Sequence, residues 1–546
     1  MSTTQGASGE QRIFLRKASG LIRTAGTFDT FVYNTGLVSV GLGLVTMLYY
    51  GPAFYPGGNM ILGSILAGIM MAAIAFGMIC WSVTLPRSGG VYVFGTRILP
   101  PWLALMLSFG DIVPPLFYGA IAAYWIIILG VAPALAMIGF MSGSQGVQDL
   151  ATAISSGWPL FLIGSGILIL SGLLQASGMK RFLAVHKAVF VLVLLGSLIQ
   201  VLVLLFGSHD EFVTNFNTVM GAPMGQTDPY NAIIASAAAN GWTTAGADWT
   251  TTLGVSNWAF LPLVGAAYSI AIAGEIKSVE RAQTYGMLGA VITATVLWVL
   301  TIWLAYRVFG YDFLGSVVYN VWTDPATAAA PVVAMPTEPS INLLSGIISQ
   351  SWLITLICSV GVILWIWMWI PGIHSYAVRA MVAWAFDRVA PDVLGTVSQK
   401  RHTPTVSIFV CAGIMIFFMG LLVFTESFSK IVILIEAQVI AWSVVLLAGM
   451  FFPYKRPHIY EKSPIARKKL FGLPLMTVAC GLGFLASQFY FWSLWFDGVA
   501  AGHAPDQIPY VIGIFVLGLV FYLVMRAYRA SQGIDINLAF KEIPIE

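Results

Sequence analysis

Along this chain long apolar stretches alternate with short polar ones, and the stretches are too long for core helices of a water-soluble domain. A bilayer core of about 30 Å is crossed by about 20 apolar residues in a helix, and twelve runs reach that length: approximately 30 to 50, 60 to 83, 102 to 138, 158 to 175, 184 to 206, 258 to 276, 286 to 306, 350 to 371, 405 to 424, 430 to 452, 472 to 496 and 507 to 528. The third exceeds one ordinary crossing, so it is expected to tilt, to extend past the bilayer or to break near Pro114 and Pro115. The pattern predicts an all-α integral membrane protein with twelve transmembrane helices.

Composition agrees: 58% of the 546 residues are hydrophobic and 9% are charged, with a mean hydropathy of +0.86. A formal charge of +3 is small for this length and indicates no nucleic-acid partner. The four cysteines, Cys80, Cys358, Cys411 and Cys480, fall in separate apolar runs without metal-ligand or disulfide spacing, so free thiols and no metal are expected. The polar, basic residues before the first run contain no cleavable apolar core, and the amino terminus is expected to be retained.

The position of the charge is more informative than its sum. With the amino terminus inside, the inner segments hold 24 of the 26 Lys and Arg residues, among them Arg12, Arg16, Lys17, Arg87, Lys180, Lys277, Arg379, Arg401, Lys455 and Lys541, whereas 207 to 257 and 308 to 345 hold none. Those two connections carry carboxylates such as Asp210, Glu211, Asp228, Asp248, Asp312, Asp324 and Glu338. Positive charge is retained on the cytoplasmic side, which predicts both termini in the cytoplasm and a multi-pass protein of the plasma membrane. Trp102, Trp158, Trp258 and Trp352 fall near predicted helix ends, as interfacial anchors do.

Within the first run, Val38-Ser39-Val40-Gly41-Leu42-Gly43 places two glycines near mid-membrane. Two readings fit: close helix packing, or an interruption whose freed backbone groups line a cavity. The sixth run has Pro262 followed by Gly265-Ala266-Ala267-Tyr268 at similar depth. The first and sixth runs cross in opposite senses five spans apart, the relation between the first helices of two inverted repeats. Freed amides would then suit a carboxylate and freed carbonyls an ammonium, and a zwitterion satisfies both.

At this point the chain resembles the amino acid–polyamine–organocation permease family from about residue 28 to 452. The resemblance rests on Pro86-Arg87-Ser88-Gly89-Gly90-Val91-Tyr92 after span 2, on Gly274-Glu275-Ile276-Lys277-Ser278-Val279-Glu280-Arg281 closing span 6, and on residues 378 to 391 followed by Thr403-Pro404. It implies two inverted five-helix repeats plus two extra helices. The expected organisation is a cytoplasmic tail (1–29), a first repeat (30–206), an extracellular loop (207–257), a second repeat (258–452), a basic cytoplasmic loop (453–471), two further helices (472–528) and a cytoplasmic tail (529–546). It also implies substrate contacts at Ser39, Gly41, Leu42, Gly43, Gly265, Ala266, Ala267 and Tyr268, with a packed aromatic as the other reading of Tyr268. The lysine that related permeases often carry in span 5 is replaced by Val193, span 8 has no hydroxyl between 361 and 373, and Ala267 stands where the family has glutamate.

Ionisable groups inside a membrane span are functional candidates. Asp111, roughly 13 Å into span 3, fits a proton carrier, an ammonium partner, or a carboxyl bonded to hydroxyls such as Ser108. Glu436, six residues from Lys430, fits a gate or a structural ion pair. His186 and His374 fall near cytoplasmic helix ends, where interfacial placement is expected.

The function expected is secondary transport of an amino acid, neutral or apolar, by alternating access, with proton-coupled symport or exchange and no cofactor. A polyamine or other organic cation is the alternative within the family, and a channel-like pore the alternative outside it, although no filter loop is visible. No intramembrane catalytic cluster suggests an enzyme, and no phosphate-binding loop suggests an ATP-driven pump. The residues give no indication of oligomeric state.

Overall fold

The structure is a computed structural model that describes residues 21–244, 246–425, 434–499, 503–505 and 507–536. Arg12, Arg16, Lys17, Lys430 and Lys541 lie outside the described residues. Among the described residues twelve helices are long and apolar enough to span a bilayer: α1 Thr27–Phe54, α2 Met60–Thr84, α3 Pro101–Ser142, α4 Gly157–Ala176, α5 Met179–Phe206, α6 Trp249–Glu275, α7 Val279–Phe309, α8 Trp352–Phe386, α9 Thr405–Phe424, α10 Ile435–Lys455, α11 Leu475–Trp495 and α12 Ile508–Ser531. The described strands form a single two-residue pair, Lys469–Leu470 with Leu473–Pro474.

Burial sorts the helices into an inner and an outer set. The apolar windows of α1 and α6 are 94% buried, whereas those of α5 and α12 are 28% buried. A helix apolar on every side and enclosed on every side is a core helix, while one with an exposed apolar face meets lipid. α1 and α6 therefore form the centre; they lie against each other and against α8, and α7 packs along the first half of α1.

The structure removes one of the three readings of the third span and changes two expectations, the start of α6 and the placement of Trp258. α3 runs for 42 residues without breaking at Pro114 and Pro115; its irregularity is the π-helical turn Ile126–Val131, after which it continues to Ser142. Proline removes one helix bond and neighbouring helices compensate for it, so the helix survives. α6 begins at Trp249, nine residues before Trp258, because Asp248 caps it by accepting from the Thr251 amide at 3.0 Å. Trp258 is consequently mid-helix and stacks on Tyr50 with ring centroids 4.1 Å apart, whereas Trp102, Trp158 and Trp352 are exposed in the first turns of their helices.

The long connections are folded. Residues 207 to 257 contain His209–Met224 and Pro229–Ala239, and 308 to 345 contain Tyr311–Trp322. Asp228 serves as an N-cap for Pro229–Ala239, so part of the acidic character of these loops is helix initiation. Arg307, at the end of α7, donates to the carbonyls of Leu204, Leu205 and Gly207 and satisfies the last turn of α5. The four cysteines are free and buried.

Where α5 crosses α8 the contact is backbone to backbone: a Cβ on Gly196 would fall 2.8 Å from the Gly361 Cα. The substitution Gly196→Val is expected to destabilise the protein by about 1–3 kcal/mol through overpacking, measured as a lower melting temperature in detergent. Gly166→Val, at a position where an added Cβ meets no atom within 4 Å, is the control expected to leave it nearly unchanged.

Candidate functional site

α1 is interrupted in its middle. Thr27–Val38 and Val40–Phe54 are helical, and Ser39 between them takes the left-handed conformation at φ 49°. A β-hydroxyl residue holds this unfavourable region only when its surroundings fix it, and here its Oγ donates to the Trp365 carbonyl of α8 at 2.7 Å. The amides of Val40, Gly41 and Leu42 open the second half-helix, where intrahelical acceptors end. The Val40 carbonyl accepts from the Trp298 indole of α7 at 2.7 Å.

The interruption therefore sits at Ser39 and the glycines serve a different end. A Cβ on Gly41 would lie 2.6 Å from the Trp365 ring, and one on Gly43 would lie 2.2 Å from the Trp298 ring. Both indoles press directly on the start of the second half-helix. Both readings of the glycines thus hold in part: the helix is interrupted, and Gly41 and Gly43 supply the close packing beside the interruption.

α6 changes character opposite this point. It is α-helical to Leu263 and a 3₁₀ helix from Val264 to Glu275, a length unusual for that geometry. Gly265 lies against the interruption, since a Cβ there would fall 2.1 Å from the Leu37 carbonyl oxygen. Ser39, Gly41, Leu42, Gly43, Gly265, Ala266, Ala267 and Tyr268 are all buried, and Leu37 and Gly265 bring the two segments into direct contact.

Beyond the interruption, polar side chains tie the two helices together. Asn34 of α1 donates to Ser269 Oγ at 2.9 Å and accepts from the Ser269 amide at 3.1 Å. Ser269 Oγ in turn donates to Gln283 Oε1 of α7, and Gln283 Nε2 donates to Ser82 Oγ of α2 at 2.8 Å.

Asp111 is the centre of a second network. Tyr376 of α8 donates its hydroxyl at 2.7 Å, the Trp442 indole of α10 donates at 2.7 Å, and Gln438 Nε2 donates at 3.3 Å. Every partner is a donor, an arrangement that complements a carboxylate. Tyr268 belongs to the same cluster: its hydroxyl donates to Gln438 Oε1 at 2.9 Å and its ring stacks on Tyr376 at 4.2 Å. It is thus both a packed aromatic and a polar link. Ser108 does not join Asp111; its Oγ accepts from the Trp384 indole at 2.9 Å.

Other candidates are placed apart. Glu436 is buried, and its Oε1 has no hydrogen-bond partner among the described residues. His186 and His374 are fully buried, in contrast to the interfacial placement expected. His374 is held by Ser171 Oγ at 3.3 Å and by the Ile408 carbonyl at 2.7 Å, whereas His186 borders Gly36 of α1 and neither ring nitrogen has a partner among the described residues. The hydroxyl of Ser359 is engaged by Asn342 at 2.9 Å.

Both ends of the α1–α6 pair are closed. At the end bearing the basic segments, Thr24 and Ala25 donate to the Glu275 carbonyl at 2.8 and 3.1 Å, Lys277 donates back to the Ala25 carbonyl at 2.9 Å, and Arg379 Nε meets Glu275 Oε1 at 2.9 Å in full burial. At the other end Tyr49 donates to Glu338 and Tyr50 stacks on Trp258. Burial raises the Glu338 carboxyl above its ordinary range, and the Tyr49 hydrogen bond opposes that rise.

An interrupted α1 thus lies beside a rewound α6, with the two joined at the basic end by main-chain hydrogen bonds. A family model described as amino acid permease matches residues 26–521. The chain belongs to the amino acid permease family. No curated protein matches it. This permease is a multi-pass membrane transporter for amino acids or related organic solutes and is not an enzyme. Its family motifs converge in space: Gly89 of the loop after α2, at φ 120°, donates to the Ala271 carbonyl of α6 at 2.9 Å, and Tyr92 donates to Asp387 at 3.1 Å.

Adding a methyl group at the closest approach tests whether the contact between α1 and α6 matters. Gly265→Ala is expected to leave the protein folded in detergent but to reduce uptake at least tenfold, because the Leu37 backbone has to move. The readout is initial uptake rate per folded molecule. Gly413→Ala, with no atom within 4 Å of the new carbon, is expected to match the unsubstituted protein.

Proposed function

We propose that this permease moves neutral or apolar amino acids across the plasma membrane by alternating access, with the substrate held at the Ser39 interruption against the start of the 3₁₀ segment of α6. The observation that carries the proposal is that pairing. The amides of Val40, Gly41 and Leu42 carry partial positive charge suited to a carboxylate, and the backbone of Gly265, Ala266 and Ala267 supplies neighbouring acceptors for an ammonium. Apolar walls from Trp365 and Trp298 favour an apolar side chain. Residues 30–206 and 258–452 form the two inverted repeats, and the basic end, with both termini, faces the cytoplasm.

Asp111 is the carboxylate through which a proton would be coupled. It lies one Gln438 away from Tyr268, so a change of its protonation would disturb a side chain on α6 through Gln438. Its three donors already occupy the positions an organic cation would need, which favours amino acids over polyamines as substrate. Glu436 would act as a gate.

Uptake of a labelled amino-acid panel into proteoliposomes, with and without an inward proton gradient, tests this reading. Saturable uptake of neutral amino acids, raised by the gradient, is the expected result. Asp111→Asn, which turns an NH₂ towards donors, is expected to lower uptake at least tenfold and to remove the response to the gradient. Uptake that depends only on preloaded amino acid would assign exchange, and uptake of organic cations alone would contradict the proposal.

A further inference from the structure

A cavity of about 490 Å³ opens at the basic end, between the chain leading into α1, the start of α5, the end of α6 and the segment joining α8 to α9. Lys180, Arg181, Lys400 and Arg401 line it, with His402 and Glu275. A neighbouring hollow of about 380 Å³ shares Ile22, Thr24 and Lys180 with it and adds Arg23 and Lys277. None of these six cationic side chains forms an ion pair among the described residues. The two carboxylates in the region are committed elsewhere, Asp29 to Lys187 at 2.7 Å and Glu275 to Arg379 at 2.9 Å.

The backbone contributes as well. α5 starts at Met179 after Gly178, whose φ is 114°, so its first amides open at this cavity. Gly178 also lets the Arg401 carbonyl approach, because a Cβ there would lie 3.3 Å from that oxygen. Arg401 and Thr403 both donate to the Ala176 carbonyl at the end of α4, which anchors the 400–403 segment beside the start of α5. The cationic groups are therefore held around one concavity, and they come from separate segments of the chain.

We propose that this cavity binds an anionic phosphate group, with the head group of an anionic phospholipid as one source and free inorganic phosphate as the other. Clustered Lys and Arg beside free helix amides suit a phosphate group, and the unpaired cations gain a counter-charge the described chain does not provide. The neighbouring faces of α4 and α5 expose Leu173, Val185 and Leu192, so acyl chains could lie against the bundle while the head group enters. The ligand would bridge the chain entering α1 and the end of α6 on one side to α5 and the 400–403 segment on the other. In consequence it would hold this end closed; that consequence rests on the alternating-access reading, whereas binding itself does not.

The test is thermal stability of the purified full chain in neutral detergent, titrated with phosphatidylglycerol, with phosphatidylcholine and, separately, with inorganic phosphate. Phosphatidylglycerol or inorganic phosphate is expected to raise the melting temperature saturably while phosphatidylcholine does not; which of the two acts identifies the source. The pair Lys400→Gln with Arg401→Gln, on an exposed segment, is expected to weaken the apparent affinity about 25-fold, about fivefold per charge. Lys180→Gln with Arg181→Gln provides a second pair should the first fail to fold. Lys455→Gln with Lys462→Gln removes equal charge outside the cavity and is expected to leave the affinity unchanged. Equal loss in that control, or no shift with either anion, would overturn the proposal, whatever the uptake assays show.

Discussion

A backbone that leaves its helix inside an apolar bundle has to find new hydrogen-bond partners, because neither lipid nor aliphatic side chains provide any. That constraint organises this protein. Ser39 interrupts α1; its side-chain hydroxyl donates to the Trp365 carbonyl, and the neighbouring Val40 carbonyl accepts from the Trp298 indole. Each partner needs a neighbour small enough to admit it, and Gly41 and Gly43 provide that space. The rewinding of α6 at Val264 brings a second non-α backbone to the same place, and Gly265 allows the two to touch. The polar groups that meet at this junction are therefore mainly main-chain amides and carbonyls.

The two ends of this junction are closed by different chemistry. At the basic end, main-chain bonds between Ala25 and residues 275–277 combine with the buried Glu275–Arg379 pair. Removing one partner of such a pair leaves an uncompensated buried charge, which typically costs about 3–5 kcal/mol, so this closure is sensitive to the loss of either partner. The opposite end relies on aromatic stacking and on the Tyr49 contact with Glu338. The loop containing Gly89 braces the basic end, because it reaches the α6 backbone and the carboxylate of Asp387 at once. The family motifs are therefore parts of one closure, although they lie far apart in the chain.

Much of this was legible in sequence, for reasons that can be named. Span number follows from run length, and Asp111 stands out as a lone carboxylate in an apolar run. Its partners Tyr376 and Trp442 do not stand out, being 265 and 331 residues away in runs where an aromatic residue carries no positional signal. Gly41 and Gly43 leave both packing and interruption readable in sequence, whereas the interruption is at Ser39, fixed by a hydrogen bond to a residue 326 positions distant. Arg379 read as one more basic residue of the inner face; its burial beside Glu275 depends on packing between α6 and α8. The histidines were misplaced for the same reason, since proximity to a helix end in sequence says nothing of the helices that surround that end.

In the alternating-access cycle proposed above, the basic end opens as the chain at Ala25 separates from Ile276. These two residues form a bridge between the start of α1 and the end of α6. The direct measurement is uptake by Ala25→Cys with Ile276→Cys, joined by a short reducible thiol cross-linker, before and after reduction. Cross-linking is expected to abolish uptake and reduction to restore it. Uptake unaffected by a complete cross-link would show that transport does not need this end to open.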